Sequence, residues 1–149
     1  MLACTHCLNC FVLNSGHAIP AVGLGTSRLG TMEEDVVRAI KDAVDVGYRH
    51  FDTAALYVIL FFFSFLILKT FSYFNEKAIG KALEELRTSG KMKREELFIT
   101  TKVWSNSHTE ELALASVRRS LANLRLEYLD LVLVHWPQSF RSGGDTFPE

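Results

Sequence analysis

The sequence predicts an α/β protein: about four β/α units forming the N-terminal half of an eight-stranded parallel barrel, preceded by a β-hairpin. Three observations predict it. Segments with the period of an amphipathic helix alternate with short apolar runs bounded by turn signals. The last of those runs, residues 128–137, is nearly all apolar, as expected of a strand covered on both faces. Three strand candidates each end on an unusual polar residue, Asp52, Lys102 and His135, and a parallel barrel gathers the carboxyl ends of its strands around one mouth. An open doubly wound sheet of the flavodoxin type is the architectural alternative. It calls for a glycine-rich phosphate loop, and no G-x-G-x-x-G occurs.

The elements follow in order. Phe11-Val12-Leu13 and Ala18-Ile19-Pro20 flank Asn14-Ser15-Gly16-His17, a hairpin with a glycine-containing turn. Residues 21–26 read as a short buried strand whose glycines admit close approach of backbone or ligand. Thr31-Met32-Glu33-Glu34 is a capping box. It opens a helix through Val46 with Val36, Val37, Ile40, Ala43 and Val44 on one face, and Gly47 ends it. In the strand that follows, Tyr48, His50 and Asp52 point one way and Arg49, Phe51 and Thr53 the other. Asn75-Glu76 starts a second helix with Ile79, Leu83 and Leu86 on one side, ending near Ser89-Gly90. Residues 97–104 form a strand. Ser107-His108-Thr109-Glu110 is a further capping box, leading a helix with Leu112, Val117, Leu121 and Leu124. The apolar strand 128–137 comes last.

At 149 residues the chain is long enough to bury a proper core. A net charge of -1 leaves no basic stripe, so nucleic acid is not an expected partner. Cys4, Cys7 and Cys10 with His6 have the look of a metal knuckle, but no second ligand pair follows, so no metal is expected. The remaining chain lacks cysteine, which fits a reducing compartment. No basic segment followed by an apolar run opens the chain, so a signal peptide is not supported and a cytoplasmic location is expected.

An inward aspartate needs a partner, because an isolated buried carboxylate is very costly. Lys102 supplies one. Its positive charge favours the ionised form of a nearby phenol and lowers its pKa. Tyr57, five residues beyond Asp52, is the phenol within reach. His135 is placed to orient a carbonyl oxygen or help deliver a proton. Each residue also has a structural alternative: an ion pair, a loop aromatic, a core histidine. Four together at strand ends favour proton-transfer chemistry.

These segments resemble a known family. Gly47-Tyr48-Arg49-His50-Phe51-Asp52-Thr53-Ala54, followed later by Asn75-Glu76 and Ile79-Gly80, is similar to the first signature of the aldo-keto reductases. Residues 17–26 resemble their opening hairpin and first strand. Thr101-Lys102-Val103-Trp104 and Leu133-Val134-His135-Trp136-Pro137 resemble the segments holding the family's lysine and histidine. The resemblance implies half of a (β/α)8 TIM barrel that reduces aldehydes and ketones with NADPH. It implies Tyr57 as the general acid, Lys102 paired with Asp52 to lower its pKa, and His135 to orient substrate. It places Gly25, Thr26, Ser27 and Asp52 near the nicotinamide and its ribose, and Trp104 and Trp136 as walls of the substrate pocket.

The chain departs from the family in three ways. Tyr57 should run almost directly into Asn75-Glu76 through a glycine. Instead residues 58–74 intervene, almost uncharged and without turn residues. As a surface loop this insert would be an aggregation hazard. A membrane helix is disfavoured, because the apolar run 54–68 falls short of the roughly 20 residues a bilayer needs and Lys69 follows. The abundance of Phe, Leu, Ile and Ser, whose codons are pyrimidine-rich, suits an intron read in frame. Ser27 stands where many members carry a pocket tryptophan, so substrate preference is left open. The chain also stops at Glu149, in the loop after the fourth strand. The expected organisation is therefore an atypical segment 1–10 and a partial barrel 11–149 interrupted at 58–74. Such a chain is expected to bind NADPH weakly and to be inactive alone. The competing class is a non-catalytic fragment or splice by-product that self-associates through open half-barrel edges; a membrane-anchored form comes third.

Overall fold

The expected strands and helices occur in order, with two further strands at Tyr57–Phe63 and Leu66–Tyr73, in the computed structural model, which describes residues 9–27, 29–30, 32–63, 66–73 and 75–142. A hairpin comes first: β1 (Cys10–Val12) pairs antiparallel with β2 (Ala18–Pro20), Phe11 opposite Ile19. Gly16 turns between them at a φ of 82°, a conformation a side chain resists. Then come β3 (Gly23–Gly25), α1 (Glu33–Asp45), β4 (His50–Asp52), β5 (Tyr57–Phe63), β6 (Leu66–Tyr73), α2 (Glu76–Thr88), β7 (Phe98–Val103), α3 (Glu110–Leu124) and β8 (Leu131–Val134).

β3, β4, β7 and β8 lie side by side in that order, and each neighbouring pair is parallel. Chain order equals sheet order, with helices as the crossovers, which is the wall of a partial α/β barrel. The core fills the space between sheet and helices. Val36, Ile40 and Val44 of α1 and Ile79, Leu83 and Leu86 of α2 meet Phe51 and Ile99 of the sheet. The α1 and α2 faces read from the sequence are the faces buried.

The structure corrects several local readings. α1 starts at Glu33 with Met32 as an extended N-cap that makes no side-chain cap bond, and Thr31 of the expected capping box lies outside the described residues. α3 starts at Glu110 after Thr109, not Ser107, again without a side-chain cap. Its inner line is Ser116, Ser120 and Leu124, whereas Leu112, Val117 and Leu121 are only half-buried. The small serines suit close packing, and α3 does approach α2: a Cβ built on Gly80 would overlap the Asn123 carbonyl oxygen and sit 2.8 Å from Leu124 Cα. β8 is not covered on both faces. Among the described residues it is the end strand of the sheet, and Val132, Leu133 and Val134 are 41%, 40% and 63% exposed.

The insert is neither a loop nor a helix. β5 and β6 form a two-stranded antiparallel sheet of their own, with Tyr57 opposite Tyr73 and Phe63 opposite Leu66. Strand pairing satisfies the backbone of a segment rich in β-branched and aromatic residues. An antiparallel ribbon also returns to its starting point, so α2 still follows β4 in space. Among the described residues no helix is long and apolar enough to cross a membrane.

Candidate active site

β4 and β7 are adjacent and in register, Asp52 opposite Thr100. Side chains alternate along a strand, so Thr100 and Lys102 share the face of Asp52. Lys102 Nζ donates to Asp52 Oδ1 and, at 3.0 Å, to the Thr53 carbonyl. The expected partnership is therefore present. The Lys102 and Asp52 side chains are 14% and 40% exposed. Solvent screens a pair of that exposure, so its stabilising effect is at most on the order of 1 kcal/mol. Its consequence is placement: an ammonium held at the end of β7.

β8 adds the histidine. Lys102 lies opposite Leu133, and His135 is two residues further on the same face. The His135 backbone N–H donates to the Val103 carbonyl at 3.0 Å, extending the ladder past the strand. Its ring meets Trp104 edge-on, centroids 5.1 Å apart, and stacks on Trp136 at 5.9 Å and 3°. Trp104 is buried and Trp136 half-exposed, so one indole holds the imidazole from the protein side and the other from the solvent side. Burial and then the Lys102 charge push the His135 pKa below its ordinary value, against the pull of Asp52. The ring is neutral near pH 7 and able to hydrogen-bond an oxygen without adding charge.

The β3 end is tied to the same point. Thr26 is fully buried, and its backbone N–H and hydroxyl donate to the Asp52 carbonyl at 3.1 and 3.0 Å. Gly25 is exposed and Ser27 half-buried beside it. The two β3 glycines differ in purpose. A Cβ on Gly23 would sit 2.6 Å from His50 Nδ1, whereas one on Gly25 would meet nothing within 4 Å.

The structure thus brings Asp52 and Lys102 into contact, sets His135, Trp104 and Trp136 beside them, and ties Gly25-Thr26 to the Asp52 backbone. Tyr57 opens β5, and its side chain lies outside the described part of the chain. Cys4, Cys7 and His6 also lie outside it, and among the described residues no group of His, Cys, Asp and Glu could hold a metal ion.

Sequence reasoning missed two buried polar residues. Asn75 does not cap α2 with its side chain; Nδ2 donates instead to the Thr26 carbonyl at 2.6 Å. Glu76 is 2% exposed, and its carboxyl oxygens accept from Thr101 Oγ1 at 2.8 Å and Asn123 Nδ2 at 3.2 Å. Their signal was adjacency: two polar residues opening a helix, one more than a cap needs. His50 was also passed over. It shares the Asp52 face, lies 3.0 Å from Thr100 Oγ1 and packs edge-on against Phe98.

The model of the aldo/keto reductase family matches residues 21–141. The chain belongs to that family. Aldo-keto reductase family 1 member A1 of Cricetulus griseus is 42% identical over 142 residues, covering 95% of this chain and 38% of that relative. The NAD(P)H-dependent 6'-deoxychalcone synthase of Glycine max is 41% identical over 130 residues, 87% of this chain and 36% of that one. Two solved structures are similar in fold. The aldose reductase from Schistosoma japonicum has a TM-score of 0.75 and 38% identity, over 95% of this chain and 41% of its own. Bombyx mori aldo-keto reductase in complex with NADP has a TM-score of 0.73 and 33% identity, over 91% and 40%. The chain therefore spans about two-fifths of the length of these aldo-keto reductases.

Proposed function

We propose that these residues are the proton-transfer end of an NADPH-dependent aldehyde and ketone reductase, and that this chain carries that end in a cytoplasmic enzyme's N-terminal half. The observation that carries the reading is the Lys102 ammonium, held by Asp52 and the Thr53 carbonyl on the face His135 shares. A phenol beside that ammonium ionises more readily than free tyrosine, whose pKa near 10 makes it a poor acid at neutral pH. Tyr57 is the phenol assigned to the role. The neutral imidazole of His135 orients the carbonyl oxygen by a hydrogen bond, and Trp104 and Trp136 wall the substrate pocket.

Two observations fit a nicotinamide cofactor at this end of the sheet. Space is open over Gly25, and Asn75 Oδ1, buried beside Thr26, has no hydrogen-bond partner, an acceptor suited to an amide or a ribose hydroxyl. Gly25, Thr26, Ser27 and Asp52 would hold it. When bound, the reduced nicotinamide supplies hydride to the carbonyl carbon. Lys102 then holds the phenolate that remains until solvent restores its proton.

The relatives are more than twice as long as this chain, so reductase activity is assigned to the whole barrel. Residues 1–149 joined to the remaining length of such a relative, with and without 58–74, should oxidise NADPH in the presence of a simple aldehyde. Lys102→Met in the same fusion should lower kcat by at least tenfold. Unchanged kcat in that variant would remove the assignment.

A second reading, a non-catalytic module that joins another half-barrel through its edges, is favoured by the exposed apolar β8. It predicts a concentration-dependent oligomer and no NADPH oxidation by either fusion.

A further inference from the structure

We propose that Tyr73 is a second phenol at this site, able to take the place of Tyr57 as proton donor. The proposal rests on the carbonyl-reductase reading and deepens it. β5 and β6 pair with Tyr57 opposite Tyr73, and the Cα atoms of such antiparallel partners lie about 5 Å apart. The ribbon therefore begins and ends on a tyrosine, and its pairing brings the two backbones together.

Both are tethered to the same strand end. Tyr57 follows Asp52 by five residues. Tyr73 precedes Asn75 by two, and Asn75 Nδ2 is hydrogen-bonded to the Thr26 carbonyl at 2.6 Å. Thr26 in turn donates twice to the Asp52 carbonyl. Two residues reach at most about 7 Å, so Tyr73 stays close to Asn75, which is itself hydrogen-bonded to the strand end. Tyr57 is joined to that strand end through the five residues after Asp52. In sequence, too, Tyr73 is separated from Asn75-Glu76 by Phe74 alone, whereas residues 58–74 separate Tyr57 from that pair.

The chemistry is the same for either phenol. The carbonyl carbon gains a hydride from a reduced nicotinamide, forming C–H. The C=O π pair takes the phenolic proton, forming O–H, and the tyrosinate left behind pairs with Lys102 until solvent reprotonates it. One ammonium serves one phenol, so the other titrates in the ordinary range near 10.

Ultraviolet titration of tyrosine ionisation in the intact chain tests this. Tyr48 and Tyr128 are the other two phenols and form a constant background across variants. The expected result is one phenol titrating at least about one pH unit below 10. It should persist in Tyr57→Phe, vanish in the Tyr57→Phe/Tyr73→Phe double variant, and move up in Lys102→Met. Far-ultraviolet circular dichroism checks that each variant folds. Loss of the low-titrating phenol in Tyr57→Phe, with no change in Tyr73→Phe, would overturn the proposal and leave the reductase reading standing. Absence of any such phenol in the unmodified chain would overturn both the proposal and the tyrosine-donor role.

Discussion

Glu76 shows why a single buried carboxyl can matter to a site it never touches. It fixes the hydroxyl of Thr101, the residue before Lys102, and the amide of Asn123 on α3. Glu76→Ala would strand both donors in the interior. We expect a loss of about 1–3 kcal/mol in urea unfolding, with Glu76→Gln losing less because one acceptor remains. An unchanged midpoint for the alanine variant would refute the role. The histidines give a second prediction at this scale. Burial pushes both His50 and His135 below their ordinary pKa near 6.5. As pH falls through 6.5 the unfolded chain takes up protons before the folded one does, so stability present above that value is lost on acidification. Unfolding followed from about pH 7.5 to about pH 5.5 should show this slope, and His135→Gln should flatten it. Asp52, Lys102 and His135 were legible because each is a polar residue ending an apolar strand. The roles of Asn75 and Glu76 were not, since their partners lie 49 and 25 residues away and only the folded chain reveals them.

At the scale of elements, the glycine in α2 decides how close two helices come. Gly80→Ala raises helix propensity by up to about 1 kcal/mol. That gain is outweighed, because the new methyl overlaps the backbone of Asn123, and overpacking of that kind costs about 1–3 kcal/mol. A thermal melt of Gly80→Ala should therefore shift down; a rise would mean α2 and α3 do not pack this way. α1 and α2 were read well, since each presents a wide apolar stripe to the core beneath it. α3 was not. Its leucines are periodic, but period alone does not say which line meets α2, and the line that does is built from Ser116, Ser120 and Leu124. β8 misled for a related reason: apolar composition shows that a strand suits burial, not that its neighbours cover it. Val134, at 63% exposure, is the natural place for a charge on that edge. Val134→Lys should raise the soluble concentration of the chain without lowering its melting temperature.

The whole molecule combines an ordered partial barrel wall with an inserted ribbon beside its reactive end. The order and parallel sense of β3, β4, β7 and β8 and the α1 and α2 faces of the core were legible, because alternating periods constrain a β/α chain strongly. The form of the insert was not, since an apolar run suits strand, buried helix or loop alike until its pairing is seen. Removing 58–74 should reduce aggregation, measured by light scattering, because it takes away an almost uncharged ribbon whose strands, among the described residues, pair with each other alone. The chain alone should also bind NADPH too weakly for saturation in a fluorescence titration. The central claim, however, is a matter of proximity between an ammonium and a phenol. Selective labelling of lysine and tyrosine allows nuclear Overhauser contacts between the Lys102 ε-methylene and tyrosine rings to be read directly. The account predicts a contact to the ring of Tyr57 or Tyr73. Finding neither, while Lys102 remains paired with Asp52, would contradict it.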